Sequence, residues 1–153
     1  MPNTYTQIHL QFVFAVKYRK GLIHSSFKEE LYQYISGIIK AHNHKLLAIN
    51  GMPDHLHILV GMRPSQSVSD LMQDIKANSS KWINEKKFLK VKFEWQEGYG
   101  AFSYSKSHVQ NVIKYIQNQE KKHQVKSFNE EYLDFLNAFE IDYDERYVFK
   151  DPI

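Results

Sequence analysis

Two histidines separated by one residue, His55 and His57, are the side chains whose type and spacing best suit catalysis. They stand in the segment Pro-Asp-His-Leu-His-Ile-Leu-Val-Gly (residues 53–61), where apolar residues alternate with them as in a β-strand. Because the side chains of a strand alternate between its faces, both imidazoles point to one face, with Cβ atoms roughly 7 Å apart. Imidazole is a common ligand of divalent metals, so the pair predicts a metal site, although His-x-His alone is a weak signal.

A phenol and a carboxamide stand four residues apart in a later segment, which has the pattern of an amphipathic helix. Its buried stripe is predicted to consist of Val109, Val112, Ile113 and Ile116. Tyr115 and Gln119 then lie beside each other on the flank of that stripe, one turn apart.

These four polar residues together suggest one reaction. Two imidazoles and the Gln119 oxygen can form a three-ligand metal site with open positions, where a divalent cation polarises a phosphodiester oxygen. The Tyr115 hydroxyl is then a competent nucleophile. The product is a phosphotyrosine and a free sugar hydroxyl, and it keeps the energy of the original phosphodiester bond.

The elements that must position these residues are arranged in the order strand–helix–strand–strand–helix–strand. Strands are predicted over residues 4–16, 45–52, 55–61 and 91–96, with the second and third forming a hairpin. Helices are predicted from Ser26 to about Ala41, from Ser67 to about Asn84, from Ser107 to about Lys122, and from Ser127 to about Phe139. This order is typical of an α+β, ferredoxin-like split βαβ fold. We therefore expect an antiparallel sheet with helices on one face, and a C-terminal catalytic helix walling a site on the other face.

The bulk composition narrows the class of protein. The chain has 153 residues, and we expect a single domain over 1–153. It contains no cysteine, which excludes a disulfide framework and a thiol nucleophile. With no signal peptide and no membrane-spanning segment evident, we expect a cytoplasmic protein.

Charge is unevenly distributed along the chain. Residues 76–126 hold eleven lysines and four glutamates, whereas residues 127–153 hold eight acids and two bases. A basic central segment of this kind suggests a surface that faces a polyanion, or simply solvated lysines.

Two motifs in this chain resemble those of a known family. His55-Leu56-His57 matches the His–hydrophobic–His (HUH) motif, and residues 115–119 match the Tyr-x-x-x-Gln motif, of the single-tyrosine transposases of insertion sequence 200/605 type. The segment from Trp95 to Ser103 and the tail from Tyr143 to Tyr147 also resemble that family. The resemblance covers essentially the whole chain.

The resemblance implies a DNA transposase that cleaves and rejoins single-stranded DNA at the hairpin-marked ends of a mobile element. Tyr115 is then the nucleophile that leaves a 5′-phosphotyrosine and a free 3′-hydroxyl. His55, His57 and Gln119 are then the ligands of Mg²⁺ or Mn²⁺, of which two imidazoles favour Mn²⁺ chemically. It also implies a homodimer whose sheets join edge to edge, and it leaves open whether Tyr115 acts in cis or in trans.

Three alternatives stay open at this point. A domesticated relative processes repeated palindromic elements by the same chemistry, and a non-catalytic module on the same fold binds nucleic acid alone. A small metal-dependent nucleotide hydrolase of the histidine-triad type requires a third histidine, and Leu59 stands in that position.

The remaining candidate residues carry weaker signals. His42, His44, His108 and His123 show no metal-ligand spacing, and His9 either lines the site or is solvated. Three aromatic residues of the loop after residue 97 either stack on bases or pack in the protein, namely Tyr99, Phe102 and Tyr104. Six lysines are candidate phosphate contacts, at positions 76, 81, 86, 87, 90 and 92.

Overall fold

A computed structural model describes residues 4–123 and 126–142 of the chain. The strands are β1 (His9–Ala15), β2 (Lys45–Met52), β3 (His55–Gly61) and β4 (Gly100–Tyr104). The helices are α1 (Lys28–Ala41), α2 (Val68–Lys86), α3 (Val109–Gln117), α4 (Gln119–Lys122) and α5 (Phe128–Ala138). The strands form one antiparallel sheet in the order β2-β3-β1-β4. The α+β ferredoxin-like prediction is confirmed, while the predicted tail motif at 143–147 lies outside the described residues.

The two faces of the sheet are covered by different helices. On one face, Phe12, Phe14, Leu56 and Ile58 pack with the apolar stripes of α1 and α2 in the largest core. The opposite face holds two smaller apolar clusters beneath α3 and α5. The period-two alternation of β1 and β3 separates these faces, so every second residue of β3 faces the C-terminal helices.

The predicted fourth strand at 91–96 is wrong, because β4 lies later in the chain and pairs with β1. The alternation in that segment reflects side-chain burial: Phe93 and Trp95 both point into the large core. The Asn84 side chain bonds to both the N–H and the carbonyl of Phe93, at 2.8 and 3.0 Å. Further along, the carbonyl of Glu94 accepts from the N–H of Lys17, and the N–H of Gln96 donates to the carbonyl of Ala15. Only Trp95 forms a bridge, to Val16.

Of the four serines at which helices are predicted to begin, two cap a helix. The hydroxyl oxygens of Ser67 and Ser127 each accept from a backbone N–H three residues later. Ser26 caps no helix, because α1 begins after Phe27, which makes no side-chain cap bond and is buried against Phe88. Ser107 lies within a 3₁₀ turn before α3 and bonds to another serine hydroxyl.

Among the described residues, no helix combines the length and the apolar character needed to cross a membrane.

Candidate active site

His55 and His57 lie side by side on the face of β3 that turns away from the large core. Both side chains are fully buried, and their ring centroids are 5.2 Å apart. The β1 residues paired with them are Ala15 and Val13, which share that face of the sheet. These short side chains leave room above the sheet, where both imidazoles can direct a nitrogen toward the covering helices.

The segment that carries Tyr115 and Gln119 is two helices, and the prediction of one continuous third helix is wrong. The helix breaks at Asn118, whose backbone (φ −99°, ψ 26°) leaves the helical range between α3 and α4. On β2, Asn50 donates from Nδ2 to the carbonyl oxygen of Gln117 at 3.1 Å, so a side chain from the sheet satisfies the end of α3.

Packing of the apolar stripe sets the position of α3. Val109, Val112 and Ile116 are buried with Ala48 and Leu59, so the helix lies across β2 and β3. Tyr115 lies on the flank of that stripe, with its ring centroid 5.8 Å from that of His57.

The structure brings all four predicted site residues together around one carboxylate. Glu131 on α5 accepts a hydrogen bond from the Tyr115 hydroxyl at Oε2, and the same oxygen accepts one from Gln119 Nε2 at 3.2 Å. Gln119 is fully buried, and its Oε1 lies 3.1 Å from Nε2 of His55. Oε1 of Glu131 lies 3.0 Å from Nε2 of His57.

Glu131 and His123 also belong to this cluster, although neither is marked as a ligand by its spacing in the sequence. Nε2 of His123 lies 3.0 Å from Oε1 of Glu131. One ligand atom from each of His55, His57, His123 and Glu131 lies within 4.8 Å of the others. A single ion with ligand distances of about 2.0–2.5 Å spans such a set. The donors also suit a divalent cation chemically, because imidazole nitrogens and a carboxylate oxygen are combined in one buried place.

Aromatic contacts hold α5 against this cluster. Phe128, at the first position of the helix, stacks on the ring of His55 with centroids 4.3 Å apart. Further along the helix, Phe135 meets the ring of Tyr115 edge-on at 5.8 Å and stacks on Phe102 of β4 at 4.9 Å. The helix therefore covers the half of the sheet that α3 leaves open.

The carboxylates at the site stay ionised. Burial raises the pKa of Glu131, but its hydrogen bonds with His55 and His57 outweigh burial and leave that pKa below the ordinary value. The pKa of Asp54 is lowered in the same way, because its bond to Nδ1 of His55 (2.7 Å) outweighs burial.

The three imidazoles divide into one charged ring and two neutral rings. Burial lowers the pKa of His55, but the bonds and charges of Asp54 and Glu131 prevail and raise it to about 9. Burial dominates at His57 and lowers its pKa. At His123, burial and the neighbouring imidazoles lower the pKa to about 4. The neutral rings have a nitrogen lone pair available to a metal.

A cavity of about 370 Å³ opens beside the Tyr115 hydroxyl, between α3 and α5. Its walls include His108 and Asn111 from the α3 side and Phe135 from α5, and Gln11 and Tyr104 lie at its base. Space next to a helix-borne phenol and a buried polar cluster is what a substrate needs to reach both.

The three aromatic candidates have different roles in the structure. Phe102 is a core residue, 1% exposed, and the Tyr104 hydroxyl donates to Oε1 of Gln11 at 2.9 Å. Tyr99 remains partly exposed while its ring meets Phe12 edge-on. Of the three, Tyr99 is the most exposed, and Tyr104 is partly buried at the cavity beside Tyr115.

Lysines of the basic segment also differ in role. Lys76 donates from Nζ to the carbonyl oxygens of Gln96 and Gly98, at 2.6 and 2.8 Å, and so holds the loop before β4. The other five candidates are exposed on α2 and the loop after it, on the side of the sheet opposite the His pair.

Comparison with known proteins agrees with this architecture. The family model described as "Transposase IS200 like" matches residues 4–119. The ISDra2 transposase TnpA of Deinococcus radiodurans is 24% identical over 121 residues, which cover 76% of this chain and 86% of that protein. The transposase for insertion sequence element IS200 of Salmonella typhimurium is 27% identical over 117 residues, covering 71% of this chain and 76% of that protein.

Two solved structures share the fold. The crystal structure of a candidate transposase from Deinococcus radiodurans has a TM-score of 0.62 at 22% identity, covering 76% of this chain and 94% of that one. The structure of a REP-associated tyrosine transposase bound to a REP hairpin has a TM-score of 0.61 at 16% identity, covering 79% of this chain and 72% of that one.

Proposed function

The chain belongs to the family of IS200-like transposases, and from that premise we propose that it cleaves and rejoins single-stranded DNA at the hairpin-marked ends of an insertion sequence. The observation that carries this proposal is the convergence of Tyr115, Gln119 and the His pair in one buried site. Of this cluster, Tyr115 and its hydrogen-bond partner Glu131 line the cavity of about 370 Å³, so a substrate in it would meet the nucleophilic hydroxyl.

The reaction is a transesterification at phosphorus. The oxygen of Tyr115 bonds to the phosphorus, and the bond from phosphorus to the 3′-oxygen breaks. The proton that the phenol loses is balanced by the one that the 3′-oxygen gains. Because the phosphotyrosine is itself a phosphodiester, a second 3′-hydroxyl can reverse the step and join a different strand without ATP.

His55, His57 and Gln119 are the proposed ligands of Mg²⁺ or Mn²⁺. A bound cation supplies Lewis-acid polarisation of a phosphodiester oxygen. Hydrogen bonds of the chain itself orient the other participants: Glu131 accepts from the Tyr115 hydroxyl, and Gln11 contacts Nδ1 of His57 at 2.9 Å.

The proposed partners are DNA and a second copy of the chain. The REP-associated relative was solved with a REP hairpin, and processing of repeated palindromes by the same chemistry is the second candidate function. The five exposed lysines of α2 and the loop after it are proposed contacts to phosphates away from the reacting strand, because they lie on the side of the sheet opposite the His pair. Among the described strands β4 is an edge strand, which suits the edge-to-edge homodimer that the family resemblance implies. A DNA substrate accords with the proposed cytoplasmic location, and one sheet with its covering helices accords with the proposed single domain over 1–153.

Covalent trapping tests the function. The protein is incubated with single strands from element ends and Mn²⁺, then separated on a denaturing gel. We expect an adduct with the wild type and with Tyr5→Phe, whose tyrosine is 89% exposed at the N-terminal end, but none with Tyr115→Phe. His57→Ala should lose the adduct while keeping hairpin binding in a gel-shift assay. An adduct that persists in Tyr115→Phe would refute the assigned nucleophile, and an adduct-free wild type that binds DNA would favour a non-catalytic module.

A further inference from the structure

Three imidazoles converge on a single carboxylate oxygen at the centre of the site. Oε1 of Glu131 lies 3.0 Å from Nε2 of His57, 3.0 Å from Nε2 of His123 and 3.5 Å from Nε2 of His55. All three rings therefore present the same nitrogen toward one point. The carboxylate is 2% exposed, so its neighbours in the protein, rather than water, determine its environment.

The distances between these donors are those of adjacent ligands of one cation. With metal–ligand distances of about 2.1 Å, neighbouring donors lie about 3.0 Å apart in an octahedron and about 3.4 Å apart in a tetrahedron. The three Nε2–Oε1 distances fall at these values. The 3.1 Å between His55 Nε2 and Gln119 Oε1 does as well.

The charge balance of the site also suits a cation bound among these donors. A set of two imidazoles and an amide carries no negative charge, so a divalent cation buried there would be left uncompensated. Glu131 supplies one negative charge inside the cluster, and Asp54 supplies another behind His55. His123, whose Nε2 lies 3.0 Å from Oε1 of Glu131, adds a third imidazole.

We propose that Glu131 and His123 are metal ligands, in addition to the His55, His57 and Gln119 set, and that the resulting site selects Mn²⁺ over Mg²⁺. Three nitrogens and two oxygens make this donor set more nitrogen-rich than Mg²⁺ prefers, whereas Mn²⁺ accepts both donor types. The inference rests on the proposed function for the identity of the first three ligands. In this arrangement α5, which carries Glu131, contributes to the metal site as well as covering the sheet.

Metal affinity measured without DNA tests the proposal independently of cleavage. Mn²⁺ is titrated calorimetrically into the wild type, Glu131→Gln, His123→Asn and a control, Glu130→Gln. Glu130 is the neighbouring acid in the first turn of α5, and it is exposed. We expect Glu131→Gln to weaken Mn²⁺ binding at least tenfold, His123→Asn to weaken it less, and the control to match the wild type. Mg²⁺ should bind the wild type more weakly than Mn²⁺.

Equal Mn²⁺ affinity of the wild type and Glu131→Gln would overturn the proposal, as would a wild type that binds Mg²⁺ more tightly than Mn²⁺. If Glu131→Gln does not fold, wild-type crystals soaked in Mn²⁺ decide the matter. An anomalous peak within about 2.4 Å of Glu131 Oε1 supports direct ligation, and a peak bridged to it only through water refutes it. Failure of covalent trapping with normal Mn²⁺ binding would instead contradict the proposed function alone.

Discussion

The side-chain amide nitrogen of Gln11 on β1 lies 2.9 Å from Nδ1 of His57 on β3. Both residues are fully buried, and the other end of the amide accepts from the Tyr104 hydroxyl on β4. Three adjacent strands thus contribute to the orientation of one imidazole. When Nε2 of that imidazole binds a cation, Nδ1 carries the ring proton, and Gln11 can turn its amide oxygen to accept it.

Replacing Gln11 should therefore weaken metal binding without removing a ligand. We expect Gln11→Leu to lower Mn²⁺ affinity by roughly 10- to 100-fold, the usual cost of losing a partner behind a histidine ligand. Tyr104→Phe keeps the amide in place and serves as the matched control, with a smaller loss. Calorimetric titration measures both, and a Gln11→Leu protein with unchanged affinity would show that His57 needs no such support.

Mixing two inactive variants tests whether one chain holds a whole site. The ring of Tyr115 lies 5.8 Å from that of His57 in the same chain, and Asn50 secures the end of α3 on β2. We expect His57→Ala and Tyr115→Phe proteins, refolded together so that subunits exchange, to form no covalent adduct. A differently tagged wild-type pair shows that exchange occurred. Adduct formation in the mixture would instead mean that α3 is donated between chains.

Stability without metal should depend on pH through His55. Its pKa of about 9 in the folded protein exceeds the ordinary 6.5 because Asp54 and Glu131 hold the charged ring. The folded chain thus keeps a proton that the unfolded chain releases, so the free energy of unfolding falls as pH rises from about 6.5 through 9. Below pH 6.5 the sign reverses, because His123 stays neutral in the fold while the unfolded chain takes up a proton.

Urea denaturation in EDTA between pH 5 and 10 measures this profile. His55→Gln has no imidazole to titrate at that position, so its stability should not fall in the same way between pH 6.5 and 9. If both proteins lose stability equally across that range, the alkaline loss belongs to another group.

Two glycines should respond oppositely to alanine. A Cβ on Gly51 of β2 would lie 2.1 Å from the carbonyl oxygen of His55 and 2.9 Å from Cα of Leu56, which are backbone atoms of the paired strand. We expect Gly51→Ala to destabilise the protein by about 1–3 kcal/mol and to weaken Mn²⁺ binding by displacing His55. A Cβ on Gly37 in α1 meets nothing within 4 Å, so Gly37→Ala should stabilise the fold by about 0.5–1 kcal/mol. Denaturation midpoints of the two variants, compared with that of the wild type, show whether each substitution stabilises or destabilises the fold.

Period-two alternation predicted the β2–β3 hairpin and the existence of β1, because those strands each bury one face in the large core. It began β1 too early, at residue 4 rather than at His9. The same alternation misplaced the fourth strand. Phe93 and Trp95 point inward, but the Asn84 side chain bonds to the backbone of Phe93, and only a single bridge links the segment to the end of β1. A local hydrophobic pattern indicates which side chains are buried. It does not indicate which group forms hydrogen bonds with the backbone.

The site likewise contains residues that could be predicted from the sequence and residues that could not. Four site residues could be predicted because they form two pairs whose spacing places both members on one face of an element. These pairs are His55 and His57, two residues apart on a strand, and Tyr115 and Gln119, four residues apart in a helical pattern. Glu131 and His123 have no such spacing: their meeting depends on how Phe128 and Phe135 dock α5 onto the sheet. Ser127 predicted where that helix begins, but tertiary packing decides which of its two adjacent acids faces inward.

The match to the family model ends at Gln119, and α5 begins at Phe128. A protein trimmed to the matched residues would keep the nucleophile and the His pair, but Val13, Ala15 and Phe102 would lose their cover. Entry of solvent and DNA to the reactive groups is thus governed by a segment beyond the matched region. The exposure of Tyr115 in this chain therefore depends on a helix that neither of the two motifs specifies.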